Sequence, residues 1–272
     1  VPHQQSGGFT THYIRGGQGE HKALFLHCSL AHARVLDGLT ARIANQFNTI
    51  AMDLPGHGDS ADWDPSRDYQ AQARDMALGL LDGPAHLVGH SYGATVALRM
   101  AADNPELIRS LTLIEPVFFY AAAQTEPEVA KAYRRASGAF TGAIAAGDLV
   151  AAARAFVSDW GGQPWESLKP AQIDYMSARM PLIAAGEAAI VRDTGGIWPK
   201  LPKMQMPTVL IEGDCSPPVM AAIQKALCAR MPDARREVIE GAGHMVAISH
   251  PVEVAGLLAA FVDAQPRNSE SS

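Results

Sequence analysis

The feature that most constrains this chain is a pentapeptide, Gly89-His90-Ser91-Tyr92-Gly93, set between two segments of opposite character. Ahead of it runs Ala85-His86-Leu87-Val88, short and apolar in the way of a buried strand. Behind it runs Ala94-Thr95-Val96-Ala97-Leu98-Arg99-Met100-Ala101-Ala102, rich in helix formers. A serine is therefore placed on a sharp strand-to-helix turn with a glycine on either side. Such a turn forces its central residue into strained angles, and small neighbours let strand and helix come close. The hydroxyl then stands out at the carboxyl end of a sheet. The helix N-terminus behind it offers N–H groups and positive dipole to a developing negative charge. Only three of the five positions are fixed by the pattern, so a glycine-rich turn with an idle serine is the competing reading.

The chain around this turn alternates short apolar runs with helical patterns. Phe9 to Arg15 reads as an edge strand that ends at Gly16-Gly17-Gln18-Gly19. That glycine cluster lacks the Lys-Ser/Thr ending of a phosphate loop and reads as a plain turn. Ala23 to His27 is a buried strand, Leu36 to Phe47 a helical stretch, and Asn48 to Leu54 the next strand. Tyr69 to Leu81 reads as a helix and Leu107 to Glu115 as a strand closed by Pro116. From there to about Leu201 the chain is Ala-rich and helical. Strand texture returns at Thr208 to Glu212 and Arg235 to Glu240, with helices over Pro217 to Met231 and Pro251 to Val262. This alternation implies a mostly parallel sheet covered on both faces, with a helical insertion between two of its strands.

Composition narrows the class. A chain of 272 residues that is 47% hydrophobic and 18% charged can build one large core. A net charge of -6 with no basic stripe argues against a nucleic-acid partner and against an acidic membrane surface. No apolar run approaches the roughly 18 residues of a membrane span. Cys28, Cys215 and Cys228 show no C-x-x-C spacing, which fits a reducing compartment. Val1 to Gly8 is polar, so the cytoplasm is the expected location. Secretion stays open because the sequence does not begin with Met. No metal-ligand spacing is present, and neither a metal nor an organic cofactor is expected. The expected partner is a small-molecule substrate; oligomeric state is unknown from the sequence.

His27 with a small residue after it, Asp53-Leu54-Pro55-Gly56-His57-Gly58-Asp59-Ser60, Gly89-His90-Ser91-Tyr92-Gly93 and Gly241-Ala242-Gly243-His244 occur in this order. Together, over roughly residues 9 to 262, they resemble the α/β-hydrolase fold family in its capped serine hydrolase and esterase branch. The resemblance implies a core made of 1–116 and 202–265 and a helical cap over 117–201; the polar 266–272 stretch is expected to be a disordered tail. The resemblance also implies Ser91 as nucleophile and His244 as general base. The chemistry needs both, because a serine hydroxyl is a weak nucleophile at neutral pH unless a base takes its proton. It further implies an oxyanion hole from the Tyr92 and Ser29 backbone N–H groups, each such donor being worth on the order of 10²- to 10³-fold in rate.

This sequence departs from the family pattern at two places. Cys28 occupies a slot that relatives often fill with glycine, which puts the backbone angles of the Ser29 loop in question. Cys28 itself is either a second nucleophile or an inert buried thiol. The usual slot for the triad acid, three residues past Gly213, holds Ser216. Two acids compete for the role: Glu115, at the end of the strand after the Ser91 helix, and Asp214. Glu115 is the preferred assignment; its structural alternative is a carboxylate near the first helix of the cap, and that of Asp214 is a turn residue. His57 and Asp53 are expected to brace their turn, and His90 to pack below Ser91. His32, Phe118, Phe119 and Trp160 are expected to face the substrate pocket.

The function these residues imply is hydrolysis of a small to medium carboxylic ester through an acyl-enzyme. Carbon–carbon bond hydrolysis, lactone hydrolysis and a cofactor-free haloperoxidase-like activity are alternatives on the same fold. A small-molecule receptor with slow or no turnover is the alternative of another class.

Overall fold

The computed structural model describes residues 2–265; the 266–272 tail lies outside the described residues. The first half runs β1 (His3–Ser6), β2 (Phe9–Gly16), β3 (His21–Leu26), α1 (Asp37–Thr40), β4 (Phe47–Met52), α2 (Tyr69–Leu78), β5 (Ala85–His90), α3 (Tyr92–Asp103) and β6 (Ile108–Ile114). Six helices follow without a strand: α4 (Phe119–Thr125), α5 (Pro127–Ala136), α6 (Gly138–Ala146), α7 (Leu149–Trp160), α8 (Pro170–Ala178) and α9 (Met180–Arg192). The chain then returns through β7 (Thr208–Gly213), α10 (Pro218–Arg230), β8 (Ala234–Ile239), α11 (Val246–Ser249) and α12 (Pro251–Asp263).

The strands form one eight-stranded sheet in the order β1-β2-β4-β3-β5-β6-β7-β8. From β4 to β8 all neighbours are parallel, while β1–β2 and β2–β4 are antiparallel. Parallel strands must be joined by crossovers, so helices cover both faces and the strands are apolar on both sides. Successive residues show this. Leu24 and Leu26 of β3 belong to the core shared with α2, α3 and α10. Ala23 and Phe25 belong to the core shared with α1, α11 and α12. Each fully buried Leu or Phe in these layers is worth about 1.5–3 kcal/mol. The six-helix insertion sits between β6 and β7, as its Ala-rich texture indicated.

Two readings of local structure change. Phe9–Gly16 is not an edge strand, because β1 pairs outside it in a hairpin. Its two-residue loop is Gly7-Gly8, with φ of 59° and 87°, the left-handed pair a tight hairpin turn requires. The Gly-Gly dipeptide was the signal for it. The 36–47 stretch is not one helix either. It breaks into single turns around Asp37–Thr40, and Phe47 begins β4. Phe47 is fully buried beside β3, and that burial outweighs its helical spacing. Among the described residues, no helix is long and apolar enough to cross a membrane.

Candidate active site

The turn at Ser91 is as sharp as its sequence requires. Ser91 has φ 56° and ψ −117°, immediately before the first turn of α3. Its N–H donates to the Ile114 carbonyl at 2.9 Å, which ties the turn to the end of β6. A Cβ at Gly93 would lie 2.3 Å from the Leu26 carbonyl oxygen and 2.4 Å from that of His27, and one at Gly89 would lie 2.5 Å from the Ala94 backbone. Only glycine lets β5, α3 and the end of β3 meet this closely. The strained angle costs about 1–3 kcal/mol and persists because the surrounding sheet over-determines it.

Three side chains from distant segments converge there. His244 Nε2 lies 2.9 Å from Ser91 Oγ, and His244 Nδ1 lies 3.0 Å from Glu115 Oε2. Glu115 is fully buried at the end of β6, with φ 50°. Its other oxygen, Oε1, accepts from the Gly213 N–H and the Ser216 hydroxyl, both at 2.8 Å. A buried carboxylate is costly unless its oxygens are satisfied, and here both are. With Glu115 accepting at Nδ1, the ring carries its proton there and Nε2 is free to accept from Ser91. Alcohol, imidazole and carboxylate in that order can pass a proton from oxygen to ring while the carboxylate steadies the charge.

Asp214 points elsewhere. Its Oδ1 accepts from the Gly241 N–H at 2.7 Å, and the residue is exposed. It braces the turn ahead of His244 and has no contact with the ring. Ser216, in the slot where the resemblance led an acid to be expected, instead donates its hydroxyl to Glu115. That role was not read from the sequence, although an alcohol standing in an acid's slot was the signal. His90 donates from Nε2 to the His244 carbonyl at 2.9 Å and lies below the turn.

The loop after β3 runs beside Ser91. Cys28 has no positive φ; the left-handed residue is Leu30, with φ 59°. The glycine-like angle therefore sits two residues further on, and a cysteine at 28 is tolerated. Burial pushes the Cys28 thiol up to about 12, so it stays protonated and inert. His27 accepts the Leu54 N–H at Nε2 (2.9 Å) and donates from Nδ1 to the Cys28 carbonyl (2.7 Å). His57 does more than brace its own turn. It accepts the Leu30 N–H at Nε2, 3.1 Å away, and donates from Nδ1 to the Pro55 carbonyl. Asp53 takes the Ala33 N–H at 2.6 Å and the His12 Nδ1 at 2.5 Å.

Ser29, Ser91, Tyr92 and His244 open onto one cavity of about 390 Å³ roofed by the insertion. Phe119, Tyr133, Phe140, Phe156 and Trp160 line it, and the Trp160 ring stands edge-on to His244 at 4.6 Å. Phe119 and Tyr133 stack at 4.6 Å within the same wall. Of the four pocket residues expected, Phe119 and Trp160 face the cavity; Phe118 and His32 do not. Phe118 is fully buried in the core beneath the insertion. His32 lies beyond the cavity-lining part of its loop, directly before a short helical turn that begins at Ala33.

The match to a family model covers residues 23–257 and is described as the alpha/beta hydrolase family. The chain belongs to the alpha/beta hydrolase family. A pimeloyl-[acyl-carrier protein] methyl ester esterase of Neisseria meningitidis serogroup C is 30% identical over 255 residues, covering 89% of this chain and 93% of that protein. A 2-(acetamidomethylene)succinate hydrolase of Mesorhizobium japonicum is 29% identical over 272 residues, 89% of this chain and 87% of its own. Among solved structures, an alpha/beta hydrolase from Sphaerobacter thermophilus superposes with a TM-score of 0.74 at 22% identity, over 96% of this chain and all of that one. The strand order and the helical insertion of this hydrolase are those of that fold.

Burial also gives this hydrolase a characteristic acid response. It pulls His27 down to about 4, against a smaller upward effect of the Cys28 carbonyl, and pulls His57 and His90 down to about 3. Their ordinary value, 6.5, is that of the unfolded chain. Between 6.5 and these lowered values the unfolded chain binds more protons. The stabilisation is therefore complete above about pH 6.5 and is lost as the pH falls through that window, to about 4 for His27 and about 3 for His57 and His90. Each ring contributes up to ~1.4 kcal/mol per pH unit across that window. Urea unfolding at about pH 7, 6 and 5 is expected to show a steep fall in midpoint; a flat profile would refute the buried neutral histidines.

Proposed function

We propose that this protein is a serine hydrolase acting on carboxylic esters with a small to medium apolar acyl or alcohol group. The single observation that carries the reading is the Ser91–His244–Glu115 relay, at 2.9 and 3.0 Å, opening onto an aromatic-lined cavity. Ser91 Oγ attacks the carbonyl carbon as its proton moves to His244 Nε2. The carbonyl oxygen becomes an oxyanion, held by the Ser29 and Tyr92 N–H groups. Tyr92 is the first residue of α3, in the turn whose N–H groups lack intrahelical acceptors. His244 then gives the proton to the departing alkoxide. Water repeats the sequence in reverse, releasing the acid and restoring Ser91. Glu115 stays ionised and keeps the ring in the tautomer that can accept. The relative from Neisseria, named as a methyl ester esterase, supports an ester as the bond cleaved.

The size and lining of the cavity set the expectation for substrate. Some 390 Å³ of mainly apolar space suits a short to medium acyl chain. In a p-nitrophenyl ester series, kcat/KM is expected to rise from acetate to a medium chain and then fall once the cavity is full. A fluorophosphonate is expected to label Ser91. Failure to label it, with tight small-molecule binding retained, would instead favour a receptor.

A further inference from the structure

The loop that presents Ser29 is gripped from two sides. Its core side is held by three contacts already described: His27 on the Cys28 carbonyl, His57 on the Leu30 N–H, and Asp53 on the Ala33 N–H. Its other side belongs to the insertion. The Leu30 side chain is buried in a cluster with Ala152, Ala153 and Met180, which come from α7 and α9. The Ala31 carbonyl accepts a hydrogen bond of 2.9 Å from the hydroxyl of Tyr175, in α8. The same hydroxyl accepts from the Gly58 N–H at 3.2 Å. Gly58 follows His57, the residue that holds Leu30.

One phenolic oxygen therefore joins three segments: α8, the loop after β3, and the turn after β4. The Arg179 guanidinium stacks on the Tyr175 ring at 3.5 Å and bonds the Tyr175 carbonyl at 3.1 Å, which fixes the ring's direction. The loop needs such bracing. Leu30 is a non-glycine residue in the left-handed region, a conformation that surrounding contacts must hold. The Ser29 N–H sits on the Cys28–Ser29 peptide, whose carbonyl end His27 holds; its Ser29 end adjoins Leu30 directly and depends on Leu30 and Ala31 staying in place. An oxyanion donor acts only when its N–H is aimed at the place where charge develops.

We propose that Tyr175 is a positioning residue for the oxyanion hole: its hydroxyl makes seating of the insertion and alignment of the Ser29 N–H a single event. The proposal rests on the ester-hydrolase reading above. Tyr175 touches no reacting atom. It acts through Ala31 and, by way of Gly58 and His57, through Leu30.

The test is Tyr175→Phe, which removes one oxygen and keeps the ring on which Arg179 stacks. On the preferred p-nitrophenyl ester, kcat is expected to fall roughly 10-fold or more, a partial loss of a donor worth on the order of 10²- to 10³-fold. KM is expected to stay within about twofold. Affinity for a chain-matched trifluoromethyl ketone, which forms a tetrahedral adduct on the serine, should fall in parallel with kcat. Fluorophosphonate labelling should slow, and hydrogen exchange over 28–33 should quicken, while β5 and β6 keep their protection. A variant with unchanged kcat and unchanged ketone affinity overturns the proposal. So does one that unfolds, or one whose KM rises as its Tm drops, since those outcomes assign Tyr175 to structural support alone. A wild-type protein that neither hydrolyses esters nor labels overturns the ester-hydrolase reading, and the proposal with it. An active wild type beside an unaffected variant overturns only the proposal.

Discussion

Replacing Ser91 by alanine is expected to lower kcat on the preferred ester by about five to six orders of magnitude, with the fold intact. The expected size follows from what is removed. Without Oγ no acyl-enzyme forms, and His244 has no hydroxyl to deprotonate. The residual rate comes from the oxyanion hole and from substrate binding alone. Substrate affinity is expected to change little, because most of the apolar lining comes from the insertion and the substitution removes only one oxygen from the wall. Stability should also change little: alanine meets the same φ of 56° that serine already occupies. The measurement is steady-state hydrolysis with active-site titration, to exclude traces of wild-type enzyme, alongside thermal unfolding. A Ser91→Ala variant that keeps more than about a tenth of the rate would remove Ser91 from the chemistry.

The second large effect separates the two acids. Glu115→Gln is expected to cost about 10⁴-fold in kcat. The amide oxygen of the glutamine is drawn to the Gly213 N–H and the Ser216 hydroxyl, the donors that Oε1 now satisfies. Its NH₂ group then faces His244 Nδ1. The ring must turn its lone pair to Nδ1 and carry its proton on Nε2, toward Ser91 Oγ. In that tautomer it cannot take the serine proton. Asp214→Asn leaves the relay untouched, since Asp214 bonds the Gly241 N–H at 2.7 Å and is exposed. Activity within about twofold of wild type is expected for it. If Asp214→Asn alone abolishes hydrolysis, the assignment to Glu115 is wrong. Parallel kcat and KM measurements on both variants decide the matter.

The contrast between these acids marks a boundary in what the residues disclose. Both follow glycine- or proline-bounded strand ends, and both carry a carboxylate at a plausible distance along the chain. The choice is made by the side-by-side register of β6 and β7, which brings Glu115 against Gly213 and Ser216. β6 and β7 are neighbours in the sheet but the six-helix insertion separates them along the chain, so no local pattern encodes their register. The insertion shows the same limit. Its helical texture was legible, but Phe118 and Phe119, adjacent in sequence, part company: one fills the core and the other faces the cavity. Tyr175 gave no signal at all, being a single aromatic residue on an exposed helix. The β1 hairpin, by contrast, was announced by Gly7-Gly8 and went unread because its strand is short and polar.

By itself the amino-acid order determined the alternation of strand and helix and the sharp turn that presents Ser91. These are matters of local periodicity and backbone sterics, expressed within a dozen residues. The acid that completes the relay, the residues that roof it and the grip of Tyr175 on the Ser29 loop were decided by tertiary structure. Ser91 and His244 stand 153 residues apart in sequence, and Glu115 and His244 stand 129 apart. Contacts over such separations exist only once the whole sheet has closed its register and the insertion has docked upon it.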